Sequence, residues 1–184
     1  MSILVKFDNY TIRIISKEDS LSYFQLIENH RWRLEDFVAG IVSKTNSRMD
    51  TDIFINEIIK KHNDRSYFPY VIIDTSNQQL VGYIDVKNID RNIPKAEVGY
   101  FIDEKYAGKG VTRNAFNLVV NYFFNELGFV KLLLRIDPCN DHSRRLAEKC
   151  GFIVEVIIRK NYKATQGKIV DLMYYGKIND ELIG

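Results

Sequence analysis

The chain has 184 residues, 46% hydrophobic and 27% charged, with a formal net charge of +2. That is the balance of one soluble globular domain with a single sizeable core, expected here to span residues 1–184. So small a charge, with acidic and basic residues interleaved, leaves no electrostatic footprint for nucleic acid.

Two cysteines, Cys139 and Cys150, form no CxxC pair, and His30, His62 and His142 are scattered without ligand spacing. No metal site is therefore expected. The opening MSILVKFDNY lacks a signal-peptide pattern and no apolar run reaches spanning length. A cytoplasmic protein with reduced thiols and no membrane partner is the expectation.

In chain order, residues 10–15 (YTIRII) read as a first strand. Ser16 followed by Asp19 is a helix-opening arrangement for residues 17–29, and helical spacing continues over 30–45. Residues 51–62 place Ile55, Ile58 and Ile59 on one helical face. Residues 67–74 and 80–89 read as an antiparallel hairpin, and 96–103 (AEVGYFID) as a further strand. Its alternation puts Glu97, Gly99 and Phe101 on one face and Val98, Tyr100 and Ile102 on the other.

Glycines 108 and 110 then precede an amphipathic helix over 111–127, stopped by Gly128. The apolar run 130–137 reads as a buried strand, parallel to the preceding one because a helix crosses between them. Residues 140–149 form a short helix ended at Gly151, and 152–158 and 169–175 are final strands around a turn containing Gln166 and Gly167. The fold class is α+β on a mixed sheet.

A strand, a glycine-containing loop and a helix make an anion-binding device, since free N–H groups of the first helical turn face the loop. Lys105 and Lys109 can add charge. The loop lacks both the Gly-x-x-x-x-Gly-Lys-Ser/Thr and Gly-x-Gly-x-x-Gly nucleotide patterns. On these residues alone, an ordinary strand-to-helix turn with solvated lysines stays open.

The segments AEVGYFIDEKYAGKGVTRNAF and NELGFVKLLLRIDPCNDHSRRLAEKCGF, together residues 96–152, resemble both core motifs of the GNAT superfamily of N-acetyltransferases, in order and at the family's separation. The family's Gln/Arg-x-x-Gly-x-Gly/Ala loop falls on Lys105, Gly108 and Gly110; Lys105 departs from it. NDHS at 140–143 with LAEKCGF behind it, and more loosely ENHRWRLEDF at 28–37, resemble the branch of RimJ/RimL-type ribosomal-protein N-terminal acetyltransferases. The resemblance implies a mostly antiparallel sheet of about seven strands flanked by helices, splayed at an acetyl-CoA site. It also implies that Phe101 and Ile102 offer backbone groups to the pantetheine and that Asn140 meets the arm from the other side. Lys105 and the run Ala107, Gly108, Lys109, Gly110, Val111 and Thr112 would surround the pyrophosphate. Relatives often pair, so a homodimer is implied by resemblance alone.

The implied reaction is direct attack of a neutral amine on the acetyl thioester. An α-amino group, with a pKa of about 7.7–8.0, needs less help from a base than a lysine near about 10.4. Ser143 is the candidate to hydrogen-bond the leaving thiolate, or else a helix-start residue satisfying free N–H groups. Glu97 is the candidate base, or else a salt-bridged strand carboxylate. The branch carries a later Glu, but residues 159–165 contain no acid; Tyr162 is nearest to that place. Trp32, Tyr162 and Tyr174 line an acceptor pocket or belong to the core, and Asp171 binds an amine or is structural. Three functions stay open: a protein N-terminal acetyltransferase, an acetyltransferase for a polyamine or aminoglycoside, and a catalytically silent acyl-CoA sensor. An acidic pocket would favour small cations, an open groove a peptide.

Overall fold

The computed structural model describes residues 3–165 and 167–179. Ile3–Phe7 (β1) and Tyr10–Ile14 (β2) form a first antiparallel pair. A capping box joins Ser16 and Asp19 across a 3-10 turn, and Ser20–Phe37 (α1) follows. Asp19 is buried there because it also holds Arg13 through two 2.6 Å bonds.

Ala39–Val42 (α2) and Arg48–Asn63 (α3) complete the first helical group. Helical spacing predicts an unbroken helix through this region, but α1 ends at Val38 (φ −131°, ψ 40°). Gly40, a weak helix former, lies just beyond the break, and a tertiary contact sits at it: Ala39 N–H goes to the Tyr162 hydroxyl at 2.7 Å instead of back to Glu35.

Phe68–Asp74 (β3), Gln79–Asp90 (β4) and Lys95–Ile102 (β5) form an antiparallel meander. Val111–Asn125 (α4) leads to Lys131–Ile136 (β6), which returns parallel to β5 as expected. Asp141–Lys149 (α5), Ile153–Lys163 (β7) and Ile169–Ile178 (β8) finish the chain. Gly167 lies in the β7–β8 turn with φ +82°, whereas Gln166 lies outside the described residues.

One eight-stranded open sheet results, in the order β1-β2-β3-β4-β5-β6-β8-β7. The mostly antiparallel α+β architecture agrees with expectation. The strand beyond the expected seven is β1, a five-residue segment whose only sheet neighbour is β2. In β3 all seven residues are buried, because both faces of the sheet are covered. Tyr70 and Ile72 join the core with Ala115, Phe116, Val119 and Phe123 of α4. Val71 and Ile73 join the opposite core with Tyr23 and Ile27 of α1 and Ile55 and Ile58 of α3. The hydrophobic effect therefore clamps the middle of the sheet from two sides, while its β5–β6 seam stays incompletely paired.

Candidate active site

Hydrogen-bonded register between β5 and β6 pairs Lys95 with Lys131, Ala96 with Leu132 and Glu97 with Leu133, and stops there. Beyond Glu97 the strands diverge around a cavity of about 320 Å³, walled by Val98, Gly99 and Tyr100 on one side and Leu134, Arg135 and Ile136 on the other. Backbone parity decides which groups face it. Pro94 O accepts from Val130 N–H on the β6 side, and Asp103 N–H donates to Val81 O on the β4 side. Antiparallel pairing alternates. The amides and carbonyls of Val98 and Tyr100 and the amide of Ile102 therefore face the gap, while those of Gly99 and Phe101 bond to β4.

Of the two residues expected to serve the pantetheine, Phe101 thus has its backbone turned to β4 and its ring in the α1–α3 core. The carbonyl of Ile102 is taken by Arg33 Nη2 at 2.7 Å, leaving the Ile102 amide.

The glycine loop stands at the end of this slot. Asp103 Oδ1 accepts from Lys105 N–H (2.8 Å), opening the 3-10 turn Glu104–Tyr106, and Tyr106 Oη donates to Asp74 (3.0 Å). Gly108 (φ +74°) and Gly110 (φ +83°) adopt left-handed backbone that disfavours any Cβ, yet a Cβ at either would meet no protein atom within 4 Å. The cradle above them is open. Gly110 is the N-cap of α4, whose first turn carries no acid, so the N–H groups of Val111 and Thr112 point their partial positive charge outward. Lys105 and Lys109 flank it, exposed, with Lys109 Nζ lying 5.7 Å over the Tyr106 ring. An anion cradle at the end of a strand whose free backbone groups face the slot fits an extended arm ending in a pyrophosphate, as CoA has.

Asn140 and Ser143 line the same cavity. Asn140 caps α5, its Oδ1 accepting from Ser143 N–H at 3.1 Å. The strand alternation put Tyr100 on the face opposite Glu97, with Val98 and Ile102, and missed that its hydroxyl is buried in this wall with no well-aligned hydrogen bond. Burial raises its pKa, and Ser143 pulls it partly back.

On the α1–α3 side, Glu97 Oε2 binds Arg135 Nε (2.9 Å) and Asn88 Nδ2 (2.8 Å), while Oε1 has Lys87 Nζ at 4.0 Å. Asp85, 1% exposed, also escaped the sequence reading. It accepts from the Tyr67 hydroxyl and from Lys87 (3.1 Å) and lies opposite Gly99. A side chain at 99 would collide with the Asp85 carboxylate, so Gly99 is what lets the buried carboxylate sit there. The cavity is further bounded by Asp36, Glu57 and Asp137 and by Lys44 and Lys61, so acids and bases nearly balance.

Tyr162 lines the cavity and closes it against the start of α2. Burial raises its pKa, and the Ala39 amide bond lowers it in part. The other acceptor-side expectations fall elsewhere. Trp32 is 68% exposed and outside the cavity lining. Tyr174 Oη donates to Asn161 (2.7 Å), and Asp171 accepts from Lys160 N–H (2.9 Å) at a positive-φ bulge of β7. Among the described residues no group of three or more His, Cys, Asp or Glu could hold a metal ion, and no helix is long and apolar enough to cross a membrane.

Comparison with known proteins then bears on this geometry. The family described as acetyltransferase (GNAT) domain matches residues 9–153. YdaF of Bacillus subtilis (strain 168), whose name assigns it provisionally to ribosomal N-acetylation, is 25% identical over 96% of this chain and 95% of its own. YjcK of the same organism, provisionally named an N-acetyltransferase, is 37% identical over 97 residues, 52% of this chain and 54% of its own length. The spermidine N(1)-acetyltransferase of Escherichia coli (strain K12) is 30% identical over 55% of this chain and 54% of its own. Among solved structures, RimL, the ribosomal L7/L12 α-N-protein acetyltransferase in complex with coenzyme A, superposes with a TM-score of 0.89 at 17% identity, over 97% of this chain and 99% of its own.

Proposed function

The chain belongs to the GNAT acetyltransferase family, and from that premise we propose that it acetylates the α-amino group of a protein or peptide N-terminus, using acetyl-CoA. The observation that carries the cofactor half is the seam that opens beyond Glu97 on the strand that leads into the open glycine cradle. The acceptor half rests on charge. The carboxylates of Asp85, Glu97 and Glu57 each have a lysine or arginine beside them, so the cavity has little surplus negative field for a polycation.

Acetyl-CoA bound in the slot supplies the activated acyl carbon. The amides of Val98, Tyr100 and Ile102 and the side chain of Asn140 hold the arm, and the loop 107–112 with the start of α4 holds the pyrophosphate. Glu97 Oε1, the oxygen with no partner nearer than 4.0 Å, takes the proton of the acceptor amine, directly or through one water. Arg135 and Asn88 fix the carboxylate from Oε2. Ser143 hydrogen-bonds the departing sulfur. Positioning supplies most of the acceleration, since a neutral α-amine is already abundant at physiological pH.

A second reading, a small polyamine or aminoglycoside acceptor, draws on the enclosure made by Tyr162 bonding to α2 and Thr165 to α1, and on the spermidine acetyltransferase relative. The test incubates the protein with acetyl-CoA and a panel of N-terminal peptides, polyamines and aminoglycosides while thiol release is followed. Faster turnover of peptides is expected. Faster turnover of polyamines replaces the acceptor reading, binding without turnover leaves an acyl-CoA sensor, and absence of CoA binding removes the whole assignment.

A further inference from the structure

Tyr100 takes part in the mechanism above only through its backbone. Its ring packs edge-on against Phe116, centroids 5.3 Å apart at 68°, which fixes where the phenol points. The hydroxyl oxygen is buried in the slot wall with no well-aligned hydrogen bond, whereas nearly all buried polar groups find one. Ser143, which lines the same slot, is the one side chain near enough for hydrogen bonding to favour the ionised phenol. Ser143 is itself held at the start of α5, because its amide is bound to Asn140. Two hydroxyls, one on β5 and one on α5, thus share the end of the slot where β5 and β6 part.

We propose that Tyr100 is a positioning residue for Ser143: the phenol donates to Ser143 Oγ and turns the serine's own proton toward the sulfur that leaves. This rests on the acetyl-CoA reading of the slot. The acceptor nitrogen forms the new C–N bond while the C–S bond breaks, its electron pair passing to sulfur. The amine's surplus proton goes to Glu97 Oε1, and the thiolate later gains one from solvent. Tyr100 and Ser143 keep their protons throughout, acting as donors in series. Burial suits Tyr100 to this, since a phenol with a raised pKa remains a donor across the working pH range.

The experiment compares Tyr100→Phe, Ser143→Ala and the double variant. It measures CoA and acetyl-CoA affinity by calorimetry, the pKa of the bound CoA thiol by thiolate absorbance against pH, and kcat. Tyr100→Phe should leave affinity unchanged, raise the bound thiol's pKa and lower kcat by about tenfold, the worth of one hydrogen bond. The double variant should be no worse than Ser143→Ala. An unchanged thiol pKa, or losses that add, overturns the proposal, and loss of CoA binding by the unmodified protein overturns the underlying assignment instead. Should Tyr100→Phe fold poorly, fluorotyrosine at position 100, a stronger donor of the same shape, should lower the thiol pKa; no shift there also overturns it.

Discussion

Ala39 donates its backbone N–H to the phenol oxygen of Tyr162 at 2.7 Å, across 123 residues of sequence. In a continuous helix that N–H would bond to Glu35 O. That carbonyl instead accepts from Thr165, through N–H at 3.2 Å and Oγ1 at 3.0 Å. The β7–β8 hairpin has taken both halves of one helical hydrogen bond, and the result is a wall of the cavity.

Tyr162→Phe should therefore cost about 1 kcal/mol of stability, because the Ala39 amide loses its partner. Hydrogen exchange at Ala39 should accelerate. The acceptor KM should rise while that for acetyl-CoA stays constant; equal effects on both would mean that the strap does not belong to the acceptor side.

Gly108→Val and Gly110→Val place a β-branched residue at φ +74° and +83°. Each conformation costs such a side chain about 1–3 kcal/mol, so acetyl-CoA affinity should drop by about tenfold or more. Lys105→Ala, at an exposed site, should cost less than about threefold. Calorimetric titration separates the cases, and the reverse order would mean that side-chain charge, not backbone, holds the pyrophosphate.

Glu97→Gln keeps the shape beside Arg135 but removes the proton acceptor. Peptide kcat should fall by about 100-fold. Retained kcat with a lowered melting temperature would make Glu97 an ion-pair residue only.

Gly99→Ala inserts a methyl group against the Asp85 carboxylate and 2.8 Å from Lys87 Nζ. Overpacking of this kind costs about 1–3 kcal/mol, readable as a lower melting temperature. An unchanged melting curve would show that the Asp85–Lys87 pair moves freely.

Asp19 gives a pH dependence. Burial raises its pKa, but the Arg13 hydrogen bond and the Ser16 contacts outweigh that and hold it below the usual range. The unfolded chain then binds this proton more readily than the folded one. The contribution is present above the unfolded value of about 3.9 and is lost as pH falls through the folded one. Urea midpoints of the protein and of Asp19→Asn should differ near neutrality and converge in acid; a constant gap would exclude the linkage.

The elements themselves were legible because their signals are local. The i, i+4, i+7 apolar spacing of α4, the Ser16–Asp19 box, Gly110 at the start of α4 and the glycines of the loop need only neighbouring residues, whereas Gly128, expected to stop α4, lies beyond its end at Asn125. Parity along β5 even sorted Glu97 and Tyr100 onto opposite faces. What only the tertiary structure decided lies between elements. Within residues 30–45 the local signal, Gly40, does not place the end of α1 at Val38; the competing partners sit on a hairpin more than a hundred residues later. No pattern in residues 95–102 says that pairing with β6 ends at Glu97, since that depends on how two strands diverge once α4 has crossed between them. Nor could Tyr100, apolar in its alternation, be told from core until its hydroxyl was seen lining the slot with Ser143. Periodicity is a one-dimensional consequence of backbone geometry, whereas a site is a set of distances, and only packing sets those.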